Sequence, residues 1–350
     1  MRHLDSSGAG PMPRRTVLAG LASLGTGLLI SRRASAGQAK TAPFRIDVHN
    51  HLAPPGYVAE LKPKGLIAPA TLAWSVEKSL EDMDRAGVAT SITTVSPPGF
   101  WFGDVALSRK LARVSNEFAA RLMADHPGRY GMFVNLPMPD VDATLKEIEY
   151  GLDALKADGV CFFTNYGDKW LGDPAFGPVF EELNRRKAVI YTHPLSANCC
   201  RNVLPDIADS NIEWGTDTTR AITRMVFSGS AGKYPNIRVI FSHAGGTMPF
   251  LVERFVNLAK TEPFAKILPD GFIPVAQKFY YDTAQTSNPA AMSALKKVVP
   301  VAQIVFGTDY PFRNAPEHVQ GLKQCGVFSA KELREIDRDN ATRLLPRFKA

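Results

Sequence analysis

The chain has 350 residues, with 41 lysines and arginines against 34 aspartates and glutamates, and a formal net charge of +7. The first 36 residues carry five arginines and one acidic residue, so the remainder has 36 basic against 33 acidic residues, a net charge of +3. This small excess, with no dense basic run after residue 36, gives little support to nucleic-acid binding.

The N-terminal segment has the organisation of a twin-arginine export signal. Arg14 and Arg15 precede an apolar run over 17–30, and the small residues 34–36 follow in the A-x-A pattern of a cleavage site. We expect cleavage after Ala36, export to the periplasm or beyond, and a single domain over 37–350. The apolar run is too short and too rich in glycine for a stable membrane span. An uncleaved N-terminal anchor is the alternative.

A repeated pattern of a short apolar run, a loop and an amphipathic helix fills the rest of the chain. The predicted strands are 44–51, 89–95, 130–136, 159–163, 188–193, 238–243, 279–282 and 304–309. The clearest predicted helices are 75–86, 107–125, 142–155, 176–186, 217–227 and 289–298. Eight strands alternating with helices predict an α/β fold, the (β/α)8 TIM barrel. An open doubly wound sheet competes, but no G-x-G-x-x-G run follows a strand to support its nucleotide-binding form.

A histidine pair, His49 and His51, ends the first predicted strand. Side chains two residues apart on a strand share a face, so the two imidazoles are expected to lie a few ångströms apart. Two such imidazoles supply half of a zinc site. An isolated H-x-H run is also compatible with a polar strand end entering a loop, so the rest of the chain must decide.

Three further strands end in side chains of the same kind. The fifth ends at His193, the sixth at His243 and the eighth at Asp309. In a barrel these ends meet at the mouth where active sites lie. His49, His51, His193 and Asp309 then supply three imidazoles and one carboxylate, a set that suits Zn²⁺ or another first-row divalent metal. His243 is expected beside the metal without being required as a ligand.

The other histidines and the fourth strand sharpen this prediction. His3 lies in the export signal, and His126 and His318 are expected to be solvated or to cap helices. Some metal-dependent barrels bridge two metals through a modified lysine at the end of the fourth strand. Lys169 comes several residues too late for that role, so one metal is predicted.

Candidate substrate contacts follow strands 2, 4 and 8 or begin the helix after strand 5. They are Trp101, Tyr166, Trp170, Arg220 and Arg313. The aromatic side chains could line a pocket, but aromatic residues serve equally in barrel packing or in a dimer contact. The arginines could pair with a substrate carboxylate, although an isolated arginine more often forms a surface ion pair.

The four cysteines follow neither a zinc-ribbon nor a thioredoxin spacing. Cys161, inside an apolar strand, is predicted to be a buried small hydrophobic residue. Cys199 and Cys200 are adjacent in a loop, and their oxidation state is left open.

Several runs resemble the amidohydrolase superfamily, and within it the aminocarboxymuconate-semialdehyde decarboxylase-like branch. They are "IDVHNH", "VIYTHP", "SHAGGTMPFL" and "IVFGTDYPF", and "LGDPAFGPVFEELNRR" looks closer still to the 6-methylsalicylate decarboxylases. The resemblance covers nearly all of the chain from about residue 45. It implies a zinc site at His49, His51, His193 and Asp309, and a water at the metal that His243 holds or activates.

The resemblance also bears on the metal and the compartment. Some relatives that decarboxylate hydroxybenzoates have glutamate at the first position of the pair and use manganese, so His49 favours zinc here, with Mn²⁺ the alternative. Typical relatives are cytosolic, and the export signal departs from them.

The main hypothesis is nonoxidative decarboxylation of a small aromatic, salicylate-type or enol-like acid by a carboxy-lyase. The ring carbon would be protonated by Asp309 or by a water that His243 handles, and loss of CO2 would restore conjugation. Hydrolysis of a lactone, ester or amide on the same residues is the alternative. A non-catalytic, exported metal-binding protein is a third, weaker hypothesis. The expected partners are the acid substrate and a second copy in a homodimer or higher oligomer, without nucleic acid or, after signal cleavage, membrane.

Overall fold

The computed structural model describes residues 44–349, and the predicted export signal and its cleavage site lie outside this range. Eight parallel strands follow one another in chain order around a single sheet. They are β1 (Arg45–His51), β2 (Val88–Thr94), β3 (Tyr130–Asn135), β4 (Gly159–Phe163), β5 (Val189–His193), β6 (Arg238–Phe241), β7 (Tyr280–Asp282) and β8 (Ile304–Val305). A parallel bridge between Asn50 and Tyr310 joins β1 to the segment after β8. The predicted (β/α)8 barrel is confirmed.

A helix follows each strand and covers the outside of the sheet. The eight are α1 (Val76–Ala86), α2 (Val105–Asp125), α3 (Val141–Glu149), α4 (Gly177–Arg185), α5 (Glu213–Phe227), α6 (Met248–Leu258), α7 (Pro289–Val298) and α8 (Ala315–Gln324). Further short helices are Pro55–Leu61, Pro69–Leu72, Ser230–Lys233, Phe264–Ile267, Phe272–Ala276, Ala330–Arg334 and Asn340–Leu344. Among residues 44–349, no helix has both the length and the apolar character needed to cross a membrane.

Local sequence signals set several helix ends. Ser75, Asp104 and Asn288 each accept a hydrogen bond from a backbone N–H of the first turn of α1, α2 and α7, which satisfies a donor that the helix itself cannot. Gly87 ends α1 in the left-handed conformation, with φ of 65°, where glycine has no steric cost. These capping residues can be recognised in the sequence, and they mark where the helices begin or end.

Alternate strand residues contribute to two separate cores. Phe133, Cys161, Tyr191 and Ile240 come from four different strands and pack in one cluster, in which the rings of Phe133 and Tyr191 stack at 5.4 Å. Phe162, next to Cys161, belongs instead to the larger cluster between sheet and helices. This alternation is the expected result of a strand with both faces covered. The prediction that Cys161 is a buried hydrophobic residue is confirmed.

The last barrel strand is shorter than predicted. After Val305 the chain turns its backbone toward β1, where the carbonyl oxygen of Phe306 accepts a hydrogen bond from Val48 and the N–H of Asp309 donates to the carbonyl oxygen of His49. The predicted strand over 304–309 is therefore two regular residues followed by an irregular closing segment. This closure fixes Asp309 directly against the histidine pair.

The expectation for His318 is wrong. The side chain lies fully buried on α8, where its Nε2 is 3.0 Å from Thr283 Oγ1, and burial lowers its pKa to about 3. The helical pattern did not reveal that this face of α8 packs on the barrel. His126 does lie at the C-terminal end of α2, as predicted.

Candidate metal centre and active-site cleft

The structure brings the four predicted ligands together at the mouth of the barrel. Suitable atoms of His49, His51, His193 and Asp309 all lie within 4.8 Å of one another. Asp309 Oδ1 is 3.1 Å from His49 Nε2 and 3.0 Å from His51 Nε2. All four residues are buried. Three imidazoles and one carboxylate in this arrangement form a group that can bind a divalent metal ion.

Hydrogen bonds behind the histidines aim their Nε2 atoms into the group. His49 Nδ1 is 2.8 Å from Asp282 Oδ2, and His193 Nδ1 is 2.9 Å from the carbonyl oxygen of Pro194. Each Nδ1–H donates, so each Nε2 presents a lone pair. His193 Nε2 is buried and has no hydrogen-bond partner. An orphaned acceptor of this kind is costly unless a cation or donor satisfies it, so the group fits a metal.

Asp282 was missing from the sequence prediction. It ends β7 and is fully buried, and its Oδ1 also accepts the backbone N–H of His243 at 2.8 Å. One carboxylate thus orients both a predicted ligand and the neighbouring histidine. The signal was present in the sequence, because Asp282 ends a predicted strand just as His193 and Asp309 do.

Electrostatics in the group favour bound positive charge. Burial alone would lower the pKa of His49, but the charges of Asp282 and Asp309 outweigh it and raise that pKa to about 10. Burial would raise the pKa of Asp309, yet the charge and hydrogen bonds of His49 and the hydrogen bond from His51 hold it well below its usual range. Burial lowers the pKa of His193, so this imidazole is neutral. The two ionised carboxylates favour a cation at this position, and a divalent metal would take the place of the proton that they stabilise on His49, because a ligating imidazole must be neutral.

His243 lies beside the group with one ring nitrogen free. Its ring centroid is 5.0 Å from that of His49 and 5.6 Å from that of His193. Nδ1 lies 3.2 Å from the carbonyl oxygen of Ala284, while Nε2 is buried without a partner. Burial lowers the pKa of His243, so the neutral ring offers Nε2 as a proton acceptor.

Two site residues have an unfavourable backbone conformation. His243 and Asp309 have positive φ values of 54° and 71°, which cost a non-glycine residue about 1–3 kcal/mol and persist where surrounding contacts impose them. Behind His243, a Cβ at Gly246 would collide with the carbonyl oxygen of Gly215. A tight glycine turn therefore follows His243 and fixes the direction of this side chain.

A cleft leads from the group to the surface through two adjoining cavities. One, of about 840 Å³, reaches Asp309 and Gln285. The other, of about 490 Å³, has mainly apolar and aromatic walls that include Trp101, Phe163 and Tyr166. Both are lined by Trp214, Phe312 and other residues in common. The four residues His49, His51, His193 and Asp309 are called the metal group below. The cleft thus joins a polar end at the metal group to an aromatic cavity, which is the usual composition of a small-molecule site.

The predicted substrate contacts separate into two groups. Trp101 and Tyr166 line the aromatic cavity. Trp170 and Arg220 instead line a separate surface groove, and Arg313 forms an ion pair with Glu317 at 3.3 Å. These last three line neither cavity of the cleft, which corrects the prediction.

The buried carboxylate of Asp217 explains the positions of Trp170 and Arg220. Asp217 is fully buried on α5, and Trp170 Nε1 donates to it at 2.7 Å while Arg220 Nη1 lies 3.5 Å away. Because a buried carboxylate needs donors, it draws both side chains away from the cleft. Lys169 forms an ion pair with exposed Asp168.

Sequence analysis did not identify one positively charged side chain that lines the cleft. Arg201, on the loop between β5 and α5, lines the aromatic cavity, and its Nε donates to the carbonyl oxygen of Ser196 at 3.2 Å. Among residues 44–349 it forms no ion pair, so its charge is available to a ligand. No periodicity marks a residue in such a loop, and only the folded chain brings it to the cavity.

Comparison with known proteins shows the family to which the chain belongs. The profile of the family described as Amidohydrolase matches residues 46–347. The chain is 35% identical over 323 residues to 6-methylsalicylic acid decarboxylase of Penicillium expansum, covering 87% of this chain and 97% of that one. It is 34% identical over 326 residues to decarboxylase yanB of Aspergillus niger, covering 87% and 88%.

A solved structure agrees at the level of the whole fold. The crystal structure named amidohydrolase II superposes with a TM-score of 0.79 at 27% identity, covering 86% of this chain and 99% of that one. The resemblance predicted from the motifs is confirmed. The chain belongs to the amidohydrolase family, in the branch that holds the 6-methylsalicylate and aminocarboxymuconate-semialdehyde decarboxylases.

Proposed function

We propose that the protein is a metal-dependent, nonoxidative decarboxylase of a small aromatic acid of the salicylate type. The observation that carries the proposal is the buried group of three histidines and one aspartate opening into an aromatic cleft. Relatives named as decarboxylases of aromatic acids support a carboxy-lyase rather than a hydrolase. The cleft also argues against a closed, purely structural metal site.

His49, His51, His193 and Asp309 would hold one divalent metal, and we propose zinc. Three imidazoles suit Zn²⁺ better than Mn²⁺, which prefers oxygen ligands. A fold relative, a dihydroxybenzoic acid decarboxylase, was solved with manganese, so both ions must be measured. When bound, the metal supplies a Lewis acid for the substrate carboxylate and an adjacent hydroxyl.

The chain's own residues would orient the substrate. Trp101, Phe163 and Phe312 give the cavity apolar walls suited to contact with a planar ring. Arg201 adds a guanidinium that can pair with an anionic oxygen of the substrate. The acid would thus lie with its carboxylate toward the metal that His49, His51, His193 and Asp309 would hold, and its ring against the aromatic walls.

Proton transfer is assigned to His243. Asp309 has Oδ1 beside His49 and His51, and its Oδ2 accepts a hydrogen bond from Gln285 Nε2 at 3.0 Å. His243 Nε2, in contrast, has no partner. It would accept the proton of the substrate hydroxyl and deliver it to the ring carbon that bears the carboxylate. That carbon becomes tetrahedral, the bond to the carboxylate breaks, CO2 leaves, and the bonding electrons restore the aromatic ring.

The test is to purify the protein, measure its zinc and manganese, and incubate it with salicylate and 6-methylsalicylate while trapping CO2. One metal per chain with CO2 and the decarboxylated phenol in equal amounts supports the proposal. Turnover of lactones, esters or amides without CO2 would transfer the same residues to the hydrolase alternative. A metal-loaded protein with neither activity would refute the decarboxylase proposal for this substrate class.

We also propose that the chain is exported by the twin-arginine route and cleaved after Ala36. The support is the arginine pair, the apolar run and the small residues before position 37. Replacing Arg14 and Arg15 together by lysine should retain the full-length protein in the cytoplasm. Equal export of the variant and the original would refute the proposal.

A homo-oligomer stays a prediction, and α6 offers a surface for it. Phe250 is 87% exposed and Leu258 is 40% exposed on this helix. Large exposed apolar side chains on one helix are typical of a contact between subunits. Light scattering should give at least a dimer, and Phe250→Asp should shift it toward the monomer. If the protein without the substitution is a monomer, the prediction is wrong.

A further inference from the structure

Cys199 and Cys200 form an accessible pair of thiols beside the cleft. They lie in the short helical turn Asn198–Cys200, with their Sγ atoms 2.6 Å apart. Cys199 is exposed and Cys200 is partly exposed, whereas Cys161 and Cys325 are buried. A reagent that meets the folded protein can therefore reach this pair before the other two cysteines.

The turn is part of the loop that forms a wall of the cleft. Ser196, Arg201 and Asn202, on either side of the pair, line the aromatic cavity. Ser196 Oγ is also an acceptor for Trp214 Nε1 at 3.3 Å, and the Trp214 ring lies 5.5 Å from that of His193. A change in the backbone between Cys199 and Cys200 would therefore reach the wall that faces the metal group.

A disulfide between adjacent residues is strained and readily reduced. Consecutive Cα atoms are about 3.8 Å apart, shorter than the roughly 4.4–6.8 Å that disulfides usually span. Strained and exposed disulfides have higher reduction potentials than structural ones and are typically labile or regulatory. Such a bond would force the turn to rearrange and would open again in a reducing medium.

We propose that Cys199 and Cys200 are a reversible thiol–disulfide site whose oxidation reshapes the cleft. The co-reactant is a small-molecule disulfide. One cysteine thiolate attacks it, forming a mixed disulfide and releasing one thiol; the second cysteine then attacks the protein-bound sulfur and releases the other. Two electrons pass from the protein to the small disulfide, and the two cysteine protons leave with the two released thiols.

The first experiment follows the sulfur chemistry without any enzyme assay. Reduced protein is treated with oxidised glutathione, and its mass and number of alkylatable thiols are measured. We expect a loss of about 2 Da without a glutathione adduct, and two fewer thiols accessible in the folded state. Cys200→Ser, the matched control, should instead retain a glutathione adduct. Only stable adducts, or no reaction, in the original protein would overturn the proposal.

The second experiment measures whether oxidation of the pair changes the cleft. Oxidation should change the fluorescence of Trp214, and the change should be absent in Trp214→Phe and in the double variant Cys199→Ser, Cys200→Ser. This readout does not depend on the proposed decarboxylase function. With an active substrate, oxidation should also lower kcat/KM at least about threefold, because small displacements in an active site are costly. Dithiothreitol should restore the activity, and the double serine variant should not respond.

A disulfide that forms without altering either fluorescence or kcat/KM would show that the pair does not act on the cleft. An equal response in the double variant would assign the effect to other groups. Either result overturns the proposal.

Discussion

The metal group and the wall of the cleft lie side by side, yet they are built in different ways. His49, His51 and His193 end barrel strands and are held by backbone ladders and buried hydrogen bonds. The wall that carries Arg201 is a long loop between β5 and α5. Strand ends have few alternative positions, whereas a loop residue is placed by the contacts its neighbours find. The barrel strands thus position the three histidines, whereas the loop between β5 and α5 positions the cleft wall that carries Arg201.

The most direct test of the proposed metal site is the removal of one of its ligands. His193→Ala should abolish metal retention and reduce decarboxylation by at least about a thousandfold, since a metal contributes several kcal/mol of charge stabilisation. Metal analysis and kcat/KM are measured together. His126→Ala, at the end of α2, is the matched control and should change neither. Retained metal and activity in His193→Ala would remove this residue from the proposed ligand set.

The next largest effect is expected at His243, which touches the group without being assigned as a ligand. His243→Ala should retain metal and lose activity by about 10²–10⁴-fold, the usual contribution of a positioned acid–base group. The measurement is kcat at saturating substrate together with metal content. A normal kcat would rule out His243 as the proton carrier, and a loss of metal would make it a ligand instead.

A smaller effect is expected when the support behind a ligand is weakened. Asp282→Asn exchanges one of two accepting oxygens for a donor, so it cannot accept from both His49 Nδ1 and the His243 backbone. Loss of such support typically costs about 10–100-fold in metal affinity or activity. Asp217→Asn is the control, because Asp217 is equally buried but holds Trp170 away from the cleft. Similar metal affinities for the two variants would contradict a specific role for Asp282.

The proposed metal site and the wall of the cleft also differ in how far the sequence could predict them. His49, His193 and Asp309 were predictable because each ends an apolar run, and the barrel brings such ends to one mouth. Asp282 obeyed the same rule and could have been included. Arg201 could not, because no period or motif distinguishes a cleft-lining arginine from a surface one. The buried state of His318 was hidden for a related reason, since it depends on which face of α8 packs on the barrel.

The arginines give the most direct comparison between sequence and structure. Sequence analysis named Arg220 as a candidate substrate contact, with an ion pair at the surface as the alternative. The structure holds that side chain near Asp217 and Glu213 and brings Arg201 to the aromatic cavity. Arg201→Ala should raise KM by about tenfold or more with little change in kcat, because a hydrogen bond to a charged group contributes about 1.5–3 kcal/mol.

Arg220→Ala should leave KM unchanged, since the groove it lines is separate from the cleft. Measuring both variants with the same aromatic acid decides between them. The opposite pattern, with KM raised only in Arg220→Ala, would mean that the β5–α5 loop rearranges when substrate binds. Substrate binding would then depend on a second conformation of that loop, while His49, His51 and His193, which lie on strands β1 and β5, would keep their positions.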